Sequence, residues 1–140
     1  MYNYTIDQKV LWAKIKSHGY LSGSRKICQD QMPFDNEVTD YDYLFSIDKL
    51  FGTFTSDERN WMYSHQNSER RSKEHSWKFY LVVDGEDIPV DLFVESDEIT
   101  KAWKSTTEVC LHINTVVNRG SLNDKASRVN TFETVLRAFL

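Results

Sequence analysis

Cysteine is scarce in this 140-residue chain. The two that occur, Cys28 and Cys110, lie far apart and form no C-x-x-C unit. They suggest neither a disulfide framework nor a zinc site, and a reducing cytoplasm is the expected compartment. Basic charge is not in excess: the formal net charge is −4, which argues against a globally basic nucleic-acid binder. No apolar run approaches the length of a membrane span. The opening Met1-Tyr2-Asn3-Tyr4 has neither a basic nor an apolar leader region, so no signal peptide is expected. No internal repeat, linker or low-complexity segment interrupts the chain. Its length suits one domain, 1–140, and at this size roughly two thirds of the extended surface can be buried. Four Trp, seven Tyr and eight Phe supply material for that core.

Read in order, the chain alternates helix and strand signals. Thr5-Ile6-Asp7-Gln8 fits a capping box with Thr5 as N-cap. Val10, Leu11, Lys14 and Ile15 follow at helical spacing, and Gly19 offers a left-handed stop. Tyr20-Leu21-Ser22 is a short strand that enters a Gly23-Ser24 turn, and a second helix is expected from Arg25 to Gln29. Residues 29–37 read as a loop. Tyr41 to Ile47 alternates and is rich in aromatic and β-branched residues, which predicts a strand. Asp48 to Phe51 suggests a helical turn, and Thr55-Ser56-Asp57-Glu58 a second capping box. Ser64 to Ser76 is polar and mixed in charge, the composition of a solvated segment; a basic lip touching an anionic substrate is the alternative. Trp77–Val83 and Ile88–Val94 are strands joined by a hairpin turn at Asp84-Gly85-Glu86-Asp87. Apolar recurrence predicts one long helix over 97–118, a stop at Arg119-Gly120 and a final amphipathic helix from Leu122 to Phe139. The expected fold is α/β (α+β): a mixed central sheet, with helices covering one face and the ends.

The chemistry sits in three short pieces. In a strand, residues i and i+2 face the same way, so Asp40 and Asp42 project together. A neighbouring strand can bring Asp91 beside them. Three carboxylates on one side of a sheet repel strongly. A divalent cation removes that repulsion, and all-oxygen ligands suit Mg²⁺. The third piece is the turn: Gly23 allows a bulky ligand close to the backbone. A helix starting near Ser24 directs N–H groups and a positive dipole end at a phosphate. The Ser24 hydroxyl adds a donor, or simply caps the helix. Arg25 either reaches a phosphate or lies on the surface.

This ordered set, Gly23-Ser24, then Asp40-x-Asp42, then Asp91, resembles the nucleotidyltransferase superfamily that shares the DNA polymerase β palm. The chain looks most like short stand-alone members found in bacteriophage genomes. The gap between Ser24 and Asp40 is longer than in compact members. The resemblance implies transfer of a nucleoside monophosphate from a nucleoside triphosphate to a hydroxyl acceptor, with release of pyrophosphate. It implies Mg²⁺ (or Mn²⁺) held by Asp40, Asp42 and Asp91, and the triphosphate held by Gly23, Ser24 and Arg25. Two such ions roughly 3.5–4 Å apart stabilise both the attacking and the leaving oxygens. Asp91 would also help to accept the acceptor's proton. Protein, RNA and small molecules are all open as acceptors, and a membrane is not expected. Two other readings stand beside this one. The first is a catalytically silent, antitoxin-like or binding module on the same fold. The second is a metal-dependent phosphodiesterase.

Overall fold

The computed structural model describes residues 6–27, 40–66, 76–112, 134 and 136–138. In chain order they form α1 (Gln8–His18), β1 (Tyr20–Ser22), α2 (Gly23–Ile27), β2 (Tyr41–Ser46), α3 (Ile47–Thr53), α4 (Ser56–Ser64), β3 (Ser76–Val83), β4 (Glu86–Glu95) and α5 (Asp97–His112). The four strands make one mixed sheet in the order β1-β2-β4-β3. β1 pairs antiparallel with β2, β2 runs parallel to β4, and β3 returns antiparallel on β4. This is the expected mixed α/β architecture.

Strand alternation divides the sheet into two unlike faces. One face carries Tyr43, Phe45, Phe79, Leu81, Val90 and Leu92, all in the buried core. Leu11, Trp12 and Ile15 of α1 pack there, with Leu50, Phe54, Trp61 and Met62 from the α3–α4 region. The other face carries Ser22, Asp42, Asp91 and Lys78. α5 docks on this second face through the Trp103 ring on Phe93, 4.7 Å between centroids. The Thr107 hydroxyl lies 2.6 Å from the hydroxyl of Ser22. Helices therefore lie on both faces, where one face and the ends were expected. Among the described residues, no helix is long and apolar enough to cross a membrane.

Several local expectations shift for identifiable reasons. The N-cap of α1 is Asp7, whose carboxylate accepts from the backbone N–H of Lys9 and Val10 at 3.0 and 3.1 Å; Thr5 lies outside the described residues. In α1, Trp12 is buried in place of Val10, which is 47% exposed. Gly19 ends α1 in an extended conformation, φ −81° and ψ 156°, not a left-handed one. Glycine is required there for space, since a Cβ would fall 2.7 Å from the Phe45 ring and 2.8 Å from that of Tyr43. β2 stops at Ser46, because the Ser46 hydroxyl accepts from Lys49 N–H and caps α3. Ile47 thus opens a helix that runs on to Thr53, longer than one turn. The Thr55–Glu58 capping box is present in full. The hairpin turn is only Asp84-Gly85, with φ of 51° and 80°, the paired left-handed geometry of a two-residue turn. Glu86 and Asp87 belong to β4. The expected loop at 29–37, the bulk of the polar 64–76 segment and the long helix beyond His112 lie outside the described residues. So does most of the final helix, apart from helical positions 134 and 136–138.

Candidate active site

Four residues form a row across the polar face. Ser22 pairs with Asp42 across β1 and β2, Asp42 with Asp91 across β2 and β4, and Asp91 with Lys78 across β4 and β3. Paired residues share a face, so the register alone gathers these side chains. Asp40 lies two residues before Asp42 and points the same way. Asp91 is 2% exposed. It accepts a hydrogen bond from the Ser76 hydroxyl at Oδ1. Its Oδ2 meets Lys78 Nζ at 2.9 Å, and Lys78 also reaches Asp40 Oδ2 at 3.9 Å. Asp42 lies directly beside Asp91 on the neighbouring strand.

Two buried carboxyl groups side by side cannot both ionise at ordinary cost. Asp42 bears this cost. Burial first, then the charges of Asp91 and Asp40, push its carboxyl well above the ordinary range, against an opposing pull from Lys78. The donor set is oxygen only, which is the chemistry of Mg²⁺ or Mn²⁺. Asp40, Asp42 and Asp91 suit such an ion in type, and Lys78 lies against two of them, Asp91 at 2.9 Å and Asp40 at 3.9 Å. Among the described residues, no three or more His, Cys, Asp or Glu side chains converge as a ready-made metal-ligand group.

The Gly23 turn abuts this row directly. Gly23 has φ +66°, and a Cβ on it would lie 2.0 Å from Asp42 Oδ2. Its backbone therefore rests against the carboxylate, as only glycine permits. Ser24 follows inside α2, a helix of five residues. Arg25 lies elsewhere: its guanidinium sits 3.7 Å over the Tyr41 ring. The side chain of Tyr41 is on the core side of β2, where it meets Trp12 at 5.0 Å. The structure thus sets Asp42 beside Asp91 with Gly23 against Asp42, leaves Asp40 on the same side within reach of Lys78, and turns Arg25 toward the opposite face.

Sequence reasoning missed Lys78 and Ser76. The first was read only as part of a strand, and the second was assigned to the polar segment. A signal for Lys78 was present. Counting outward from the two-residue Asp84-Gly85 turn pairs Val83 with Glu86 and, five steps on, Lys78 with Asp91. No protein-family model, curated protein or solved structure matches this chain.

Proposed function

We propose that this protein is a metal-dependent nucleotidyltransferase. It moves a nucleoside monophosphate from a nucleoside triphosphate to a hydroxyl acceptor and releases pyrophosphate. The observation that carries this reading is the pairing of Asp42 with Asp91 on adjacent strands, with Asp40 on the same face and the Gly23 backbone against Asp42. Carboxylates held this close favour a partner of positive charge. Asp40, Asp42 and Asp91 would hold Mg²⁺ or Mn²⁺, which when bound supplies charge neutralisation at the phosphates.

The remaining work falls to the chain. Asp91, fixed by Ser76 and shielded from solvent, takes up the proton of the acceptor hydroxyl as that oxygen attacks the α-phosphorus. Gly23 and Ser24 would hold the triphosphate tail, at the turn whose backbone rests against Asp42. Catalysis of this kind is mainly positioning and charge stabilisation. The test is incubation of the protein with each radiolabelled nucleoside triphosphate, Mg²⁺ or Mn²⁺, and a cell extract. The expected result is label on a protein, RNA or small-molecule acceptor, with pyrophosphate in equal amount, and loss of both with Asp42→Asn. Free nucleoside monophosphate would indicate the phosphodiesterase. Absence of any product with all four nucleotides and both metals would reject the enzyme.

One observation favours the non-catalytic alternative. Lys78 already offsets part of the acidic charge at 2.9 Å from Asp91, so the row has an internal cation. A binding or antitoxin-like module on this fold would show neither pyrophosphate release nor a metal-dependent response to nucleotide.

A further inference from the structure

A lysine ammonium is a compact, strongly hydrated charge on a flexible stem. Removing it from water is costly unless carboxylates replace the lost hydration. The Lys78 side chain is only 16% exposed, and the Asp91 side chain that meets it at 2.9 Å is 3% exposed. Such a pair is little screened by salt. Lys78 starts on the edge strand β3, yet its ammonium also comes within 3.9 Å of Asp40, at the entrance to β2 two strands away. Asp91 Oδ1 is taken by Ser76 and its Oδ2 by Lys78. A cation that approaches Asp91 must therefore share an oxygen with one of these two partners or displace it. Ser76 can yield or rotate at little electrostatic cost, because its hydroxyl is neutral. Sharing Oδ2 between Lys78 and a divalent ion is costly, because the two positive charges repel.

We infer that Lys78 competes with a divalent cation for Asp91 and Asp40, and so sets how tightly the site takes metal. This rests on the metal-dependent reading above. Removing the ammonium leaves a surplus negative charge and frees an oxygen of Asp91, and both changes favour the metal. Without metal the same removal leaves a buried carboxylate with no cation, which destabilises the fold.

Calorimetric titration with Mn²⁺ of chelator-treated full-length protein tests this in the wild type, Lys78→Met and Lys78→Arg. The Met variant should bind Mn²⁺ at least about tenfold more tightly, the scale of one unit charge a few ångströms from a divalent ion. The Arg variant keeps the charge and should stay within about threefold of the wild type. The Met variant should also melt lower without Mn²⁺ and gain more from adding it. Equal or weaker Mn²⁺ binding by Lys78→Met would overturn the role of Lys78 while leaving the metal site standing. Absence of Mn²⁺ binding by all three proteins would overturn both. If Lys78→Met does not fold, the wild type decides the matter. Reductive methylation of lysines, read by peptide mass spectrometry, should label Lys78 more in Mn²⁺ than in chelator, with the 73%-exposed Lys9 as the unchanged control. Equal labelling of Lys78 in both conditions overturns the competition.

Discussion

Gly23 and Asp42 test each other at the scale of single residues. Gly23 occupies a left-handed conformation in which L side chains are strained, and a Cβ there would meet Asp42 Oδ2. Gly23→Ala should therefore cost at least about 1–2 kcal/mol from the backbone alone, measured by urea unfolding. A variant as stable as the wild type would contradict the turn as described. Asp42 makes a separate prediction through pH. Its carboxyl is raised by burial, then by Asp91 and Asp40, above its ordinary value of 3.8. The folded chain thus holds this proton more tightly than the unfolded chain does. That linkage favours folding at low pH, and the advantage is lost as pH rises from about 4 through the raised folded value. Asp42→Asn has no such titration. In chelator, its melting temperature relative to the wild type should climb between pH 4 and pH 8. A difference that stays flat across that range would show that Asp42 does not carry the electrostatic cost.

At the scale of elements, the link between α1 and α4 carries a pH dependence of opposite sign. Glu58 closes the capping box of α4 and also binds Lys14 of α1 at 2.7 Å. Burial raises its pKa, but the hydrogen bonds from Lys14 and Thr55 outweigh that and hold it below its ordinary 4.5. The stabilisation is therefore full above pH 4.5 and is lost as pH falls through the lower folded value. Glu58→Gln should lose about 1–2 kcal/mol at pH 7 and much less near pH 3; a loss independent of pH would mean that the Lys14 pairing contributes nothing. This capping box was legible in the sequence because its signal is local, as were the Asp84-Gly85 turn and the alternation of β2 and β4. The misplaced features depend on partners distant in the chain. Gly19 is explained by Tyr43 and Phe45, and Trp12 is buried because the sheet lies beneath it. Of the site, the acids and Gly23 stood out as residue types at regular spacing. Lys78 was hidden because its role comes from cross-strand register, whereas Arg25 stood out in the sequence but its side chain lies over the Tyr41 ring.

For the molecule as a whole, the sheet separates stability from chemistry by face, and β2 displays both within four residues. Phe45 is fully buried in the core that joins the sheet to α1 and α4. Asp42 faces the other way, into the acidic row. Phe45→Ala should cost about 3–5 kcal/mol through lost burial and the cavity left behind. It touches none of the proposed ligands, so folded Phe45→Ala should keep the thermal upshift that Mg²⁺ plus nucleotide gives the wild type. Asp42→Asn should do the reverse, with stability in chelator equal to or above that of the wild type at pH 7 and most of the upshift gone. Because the two side chains lie on opposite faces and share no partner, the double variant should show the sum of both effects within about 0.5 kcal/mol. Melting curves of the four proteins, in chelator and in Mg²⁺ with each nucleoside triphosphate, measure all of this at once. Equal upshifts in the wild type and Asp42→Asn would remove the acidic row from metal binding. Loss of the upshift in Phe45→Ala at temperatures where it remains folded would show that the two faces are coupled, and that the core positions the carboxylates as well as supporting them.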